Sequence, residues 1–184
     1  MSDFAEPPFD ESDEPRRPGY AETEERYHIY RGDPDPADDY PERTDLVTVV
    51  TRAPELFEAT CSGMAFDSED FSRRGELFCY LKLDGAESQG MRFADRDAVE
   101  NAMEEALRRS DAGWLLGGAT GLRYSYVDLA VTDLDGAIEA LRRTLRAGGV
   151  PKRTWLLFFD SDREDEWVGI WDDTPPPPAW PEDS

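Results

Sequence analysis

The chain has 184 residues, 42 Asp+Glu against 20 Lys+Arg, and a formal net charge of −22. Phosphate backbones and anionic lipid surfaces are bound through basic surface, so this balance argues against direct contact with nucleic acid or an anionic membrane. A hydrophobic fraction of 39% at this length fits one domain with polar tails. Lys82 and Lys152 are the only lysines. An acid-rich, lysine-poor composition also suits a salt-rich cytoplasm, and an arginine bias suits a GC-rich genome, so charge alone does not specify a partner.

Residues 1–44 are dense in Asp, Glu and Pro. Proline breaks regular structure and like charges repel, which predicts a largely flexible acidic arm. Within it, Tyr27-His28-Ile29-Tyr30 is an apolar island, read as a strand or loop patch on the same domain. Leu46 to Thr51 is the first good strand, rich in β-branched residues. Glu55 to Ala59 is ambiguous, and 60–75 reads as loop, with Met64 and Phe66 pinned to the core. Leu77 to Leu83 alternates: Leu77, Cys79, Leu81 and Leu83 share one face, and Phe78, Tyr80 and Lys82 the other. Asp84-Gly85 signals a turn, and Met91 to Phe93 is a candidate hairpin return.

A helix is expected from Asp95 or Asp97, with Val99, Ala102, Met103, Ala106 and Leu107 as its stripe and Gly113 at its end. Trp114 to Leu116 is a short strand. Gly117 to Gly121 lacks the Gly-Lys-Ser/Thr of a phosphate loop and is read as a tight connection. Arg123 to Val131 is a strand. Leu134, Ala137, Ile138, Leu141 and Leu145 then recur at helical spacing, with Asp133 as cap and Gly148-Gly149-Val150-Pro151 as stop. Trp155 to Phe159 and Trp167 to Trp171 are the last strands, and Pro175 to Pro178 reads as extended.

The predicted fold is α+β: a ferredoxin-like split βαβ-type antiparallel sheet with two helices on one face, extra strands and the acidic arm. The predicted organisation is an arm at 1–44, a single domain at 45–173, and a Pro-rich acidic tail at 174–184. The N-terminus lacks a basic start with an apolar run, and no stretch reaches about 18 apolar residues, so a cytoplasmic location is expected.

Chemistry is sparse. His28 is the only histidine and Cys61 and Cys79 the only cysteines, in no metal-ligand spacing, so no metal or cofactor is expected. No Gly-x-Ser-x-Gly motif is present. The acids from Asp160 to Glu166 alternate as in a calcium loop, but Asp165 stands where Gly is needed and Trp171 where Glu is needed. Two surfaces stand out. The first joins Asp160, Asp162, Glu164, Asp165 and Glu166 to Trp167 and Trp171, and fits a basic protein partner: aromatics hold the complex and carboxylates steer the encounter. Inhibitors and immunity-type proteins that neutralise a toxin or nuclease are one such class. The second is the Tyr124, Tyr126 and Asp128 sheet face, on which a small enzyme or ligand-binding domain could be built. Asp128 needs a partner there, since a buried lone carboxylate is costly.

Overall fold

The computed structural model describes residues 19–20 and 26–180. Among these residues the chain forms one seven-stranded antiparallel sheet and four α-helices. The strands are β1 (His28–Arg31), β2 (Leu46–Thr51), β3 (Leu77–Asp84), β4 (Gly113–Gly121), β5 (Tyr124–Val131), β6 (Thr154–Phe158) and β7 (Trp167–Gly169). The helices are α1 (Pro54–Thr60), α2 (Ser68–Phe71), α3 (Arg96–Ser110) and α4 (Leu134–Gly148). The sheet order is β1-β2-β4-β5-β3-β6-β7, so β3 lies between the two strands that flank α4.

The alternation in β3 sorts the two faces. Cys79, Leu81 and Leu83 face α3 and α4. Their neighbours on that side are Val127, Leu129, Leu156 and Phe158, and the helices answer with Val99, Met103, Leu107, Ala137, Leu141 and Leu145. Both helices begin as the sequence suggests. Asp95 accepts from Ala98 N–H and Asp133 from Gly136 N–H, each satisfying a free amide of the first turn. Gly149 closes α4 at φ 68°. α3 closes two residues earlier than its glycine implies, on left-handed Asp111 (φ 54°), and Gly113 opens β4. Arg142 and Arg146 on α4 suit the C-terminal dipole, and they also donate to the carbonyls of Gly169 and Ile170, which ties the chain after β7 to the helix.

Phe78, Tyr80, Lys82 and Asp84 point to the opposite face, with Tyr124, Tyr126, Asp128 and Ala130 of β5 beside them. This second face is also buried. α1, α2 and Tyr20 cover its Phe78 and Ala130 end. Residues around Tyr40 cover Tyr80, Tyr124, Tyr126 and Trp155. Beyond β7, the Pro175 carbonyl accepts from Trp155 Nε1 at 2.6 Å and Trp180 Nε1 donates to Glu42 at 2.9 Å.

Several expectations change. Proline and like charge argued for a flexible arm through residue 44, and parts of it are tied to the sheet: Tyr20 lies edge-on to Phe78, residues 28–31 form edge strand β1, and Tyr40 is buried. Residues 1–18 and 21–25 of the arm and 181–184 of the tail lie outside the described residues. Gly117 to Gly121 is not a connection. It is the second half of β4, paired to β2 and β5 at once. Glycine is needed there for close approach: a Cβ at Gly117 would lie 2.1 Å from the Val50 carbonyl oxygen, and one at Gly121 would lie 2.2 Å from Asp45 Oδ2. The turn is Leu122-Arg123. Met91 to Phe93 forms no strand, because Phe93 packs onto the core against Gly148 of α4. Met64 is 77% exposed, whereas Phe66 is buried against Phe71, Phe78 and Phe159.

Leu141 is fully buried on the helix face. Leu141→Ala should lower the unfolding free energy by about 2–5 kcal/mol, measured by urea denaturation. A loss under about 0.5 kcal/mol would show that this stripe does not support the core.

Candidate functional site

The Tyr124, Tyr126 and Asp128 face holds more charge than its strands suggest. Tyr80 pairs in register with Asp128, Lys82 with Tyr126, and Asp84 with Tyr124. All six side chains belong to buried residues. Their partners come from residues 39–45 and from the bases of β5 and β6.

Lys82 Nζ donates to the carbonyl oxygens of Tyr40 (2.5 Å) and Glu42 (2.8 Å), and lies 4.1 Å from the centre of the Tyr124 ring. Arg43 pairs with Asp128 at 3.2 Å, its guanidinium 5.2–5.4 Å from the ring centres of Tyr80, Tyr126 and Phe159. Tyr126 donates to Asp45 Oδ1 at 2.5 Å, and Asp45 Oδ2 accepts from the Arg123 and Tyr124 amides, each at 2.9 Å. Tyr124 donates to Asp39 at 2.5 Å and accepts from Arg153. Asp84, fully buried, takes Arg123 at 2.7 Å and Arg153 at 2.8 Å. The Tyr124 and Tyr126 hydroxyls and Asp128 Oδ2 are therefore already engaged by the chain itself, and Asp128 Oδ1 lies against Arg43 without an aligned hydrogen bond.

The electrostatics follow from burial. Desolvation pushes the Asp128 carboxyl above its ordinary range, and Arg43 pulls it back only in part. Desolvation pushes Lys82 down to about 8, opposed by Asp45 and Asp39. Tyr80, Tyr124 and Tyr126 are all held above the ordinary tyrosine value, first by burial and, in Tyr124 and Tyr126, also by hydrogen bonds to carboxylates. Burial also raises the Asp39 carboxyl, but the Tyr124 hydroxyl, the Tyr40 N–H and two arginines outweigh it, and the group stays below its ordinary range. A set of groups each committed to its partner favours fixed geometry over proton transfer.

The acidic turn divides. Asp160 is buried and structural: it accepts from Ser68 N–H at 2.7 Å and Ser68 Oγ at 2.5 Å, which fastens the turn to α2. Asp162, Glu164, Asp165 and Glu166 are exposed. Glu166 pairs with Arg163 at 2.7 Å, while Asp162, Glu164 and Asp165 have no ion pair among the described residues. Trp167, on edge strand β7, is 38% exposed. Trp171 is turned inward: its Nε1 donates to the Val150 carbonyl at 3.0 Å, and Lys152 stands 4.5 Å from the ring centre. Among the described residues no three His, Cys, Asp or Glu side chains are grouped as a metal ion would require, and no helix is long and apolar enough to cross a membrane.

Protein-family models, curated proteins and solved structures yield no match to this chain.

Lys82, Arg43, Asp39, Asp45, Asp84 and Arg153 are the residues that sequence reasoning passed over. Lys82 did leave a signal, since a charged residue alternating with Phe78 and Tyr80 in an apolar strand requires a buried acceptor or an open face. The other members carry no local mark, because their partners lie tens of residues away.

Arg43→Met strands a buried carboxylate and should cost about 3–5 kcal/mol in chemical denaturation at neutral pH. Asp128→Asn in that background should recover much of the loss, and no recovery would mean that Arg43 acts through packing alone.

A second expectation concerns alkaline pH. The buried tyrosines and Cys79 keep their protons in the folded state well above their ordinary values of 10.0 and 9.0, where the unfolded chain loses them. The folded state then binds more protons, so stability falls as pH rises through that range. Lys82 acts in the opposite sense between about 8 and 10.5, and offsets one group. Tyrosinate absorbance should rise in two stages, with the buried phenols ionising only as the protein unfolds. A single early rise that includes all tyrosines would refute the assignment.

Proposed function

We propose that the chain is a non-enzymatic acidic protein-binding module that captures a basic protein, of the kind an inhibitor or immunity-type protein uses against a toxin or nuclease. One observation carries this reading: four exposed carboxylates, Asp162, Glu164, Asp165 and Glu166, run directly into half-exposed Trp167 on a sheet edge, and three of the four have no partner among the described residues. Unpaired surface charge accelerates encounter with an opposite charge, and an exposed indole supplies the short-range anchor. Asp160 and Trp171 hold this surface in place rather than present it. The competing reading, a ligand site on the Tyr124, Tyr126 and Asp128 face, is weakened because residues 39–45 already lie across that face.

The order β4-β5-β3-β6, with α3 and α4 packed on one side, supports a ferredoxin-like split βαβ core widened by β1, β2 and β7. Cys61 and Cys79 are unpaired, which suits a reducing, cytoplasmic setting.

The test is kinetic. A basic partner captured from source lysate is used to compare the wild type with a variant carrying Asp162→Asn, Glu164→Gln, Asp165→Asn and Glu166→Gln. At low salt, association should slow by about ten-fold or more and its salt dependence should flatten, because exposed charges are screened over roughly 8–10 Å at physiological ionic strength. Trp167→Ala should instead speed dissociation. Unchanged rates at both salts would remove the turn from the interface.

A further inference from the structure

The helix side of the sheet is only partly covered. No β1 or β2 side chain belongs to the core beneath α3 and α4. Beside α3 this leaves a cleft of about 350 Å³, in the size range of ligand-binding clefts. Its floor is Val50 with the backbone of Gly117 and Gly118, and Tyr27, 53% exposed, stands on the β1 side. Val50 pairs in register with Ile29, so Ile29 projects to the same side and is 62% exposed.

The wall along α3 is acidic. Asp97, Glu100 and Glu104 line it, and the last two lie one helical turn apart on the same flank. The two arginines of the cleft are already engaged. Arg52 donates to the Leu115 carbonyl, and Arg96 donates to Thr120 Oγ1 at 2.6 Å and contacts Glu100 at 2.8 Å. Glu104 has no ion pair or hydrogen bond among the described residues. Glu100 lies over Gly118, where a Cβ would sit 2.1 Å from its Oε1. Arg96 Nε holds that buried oxygen at 2.8 Å, while Glu100 Oε2 has no hydrogen bond or ion pair among the described residues and is left for a donor.

We propose that this cleft accepts an arginine side chain of a basic protein partner. The inference rests on the acidic-module reading above and adds a second, separate contact, because β1 and β2 lie at the opposite end of the sheet from the β7 turn. Two carboxylates one turn apart match the donor fork of a guanidinium, and the Tyr27 ring offers it an aromatic face. Excess negative charge disfavours an anionic occupant, and the exposed Ile29 shelf would cover the apolar part of the segment that carries the arginine.

The experiment titrates isotope-labelled protein with a capped peptide of three Gly-Arg repeats and with its citrulline counterpart, which keeps the shape and loses the charge. The arginine peptide should shift the Gly117 and Gly118 amide signals, and the citrulline peptide should not. Asp97→Asn with Glu104→Gln, both at exposed positions, should weaken binding at least ten-fold. Asp162→Asn with Glu164→Gln and Asp165→Asn should leave the cleft signals unchanged. Shifts confined to residues 161–167 would overturn the cleft while leaving the acidic-module reading intact. Equal affinity of the cleft variant, or equal binding of the citrulline peptide, would also overturn it. A dilution series without peptide that moves the same amides would assign the cleft to a second copy of the chain, against the proposal.

Discussion

Three charged side chains in the middle of a sheet set the terms for this protein. Lys82 and Asp84 on β3 and Asp128 on β5 are buried on the face away from α3 and α4. Left alone, each would cost several kcal/mol, and a sheet carrying all three would not close. Arg123 and Arg153 remove that cost for Asp84, and residues 39–45 remove it for Lys82 and Asp128. The latter bring two carbonyls to Lys82, Arg43 to Asp128, and Asp39 and Asp45 to the adjoining tyrosines. The segment is held by charge and hydrogen bonding more than by apolar burial, since Tyr40 is its only buried hydrophobic side chain.

The two faces of the sheet therefore differ in kind. The helix face is aliphatic and could be rebuilt from many similar side chains, as cores of the right volume and pattern usually can. The other face is specific, because its buried donors are met by acceptors at fixed places: Lys82 by two carbonyls, Tyr126 by Asp45, and Arg153 by Asp84 and Asp39. Specificity of this kind fixes the position of the covering segments, and with it the ends of the sheet, where β1 and β7 carry the exposed Ile29 and Trp167. The interior network and the exterior surfaces are parts of one arrangement: anchored turns and edges present side chains at defined positions, which lowers the ordering cost of association.

Legibility followed the range of the interaction. β2 was readable to the residue because Val47, Thr48, Val49 and Val50 are locally strand-prone, and α4 was readable because its stripe and caps lie within sixteen residues. β4 was not, since glycine normally marks a turn, and only the positions of Val50, Glu100 and Asp45 explain why glycine stands in this strand. The same limit applied to the sites. Asp160 resembles Asp162 in sequence, and only Ser68, 92 residues away, separates a structural acid from an exposed one. Asp128 announced the need for a partner, but no local pattern pointed to Arg43.

The packing of residues 39–45 also dictates an order of events during synthesis. Arg43 leaves the ribosome 85 residues ahead of Asp128, and Glu42 precedes Trp180 by 138. At elongation rates of roughly 5–20 residues per second, the segment spends several seconds in solution before the face it covers exists. A hydrophobic strap of the same length would be an aggregation hazard over that interval. One built from Asp39, Glu42, Arg43 and Asp45 stays hydrated and waits, so the polarity that makes the finished interior exacting also protects the unfinished chain.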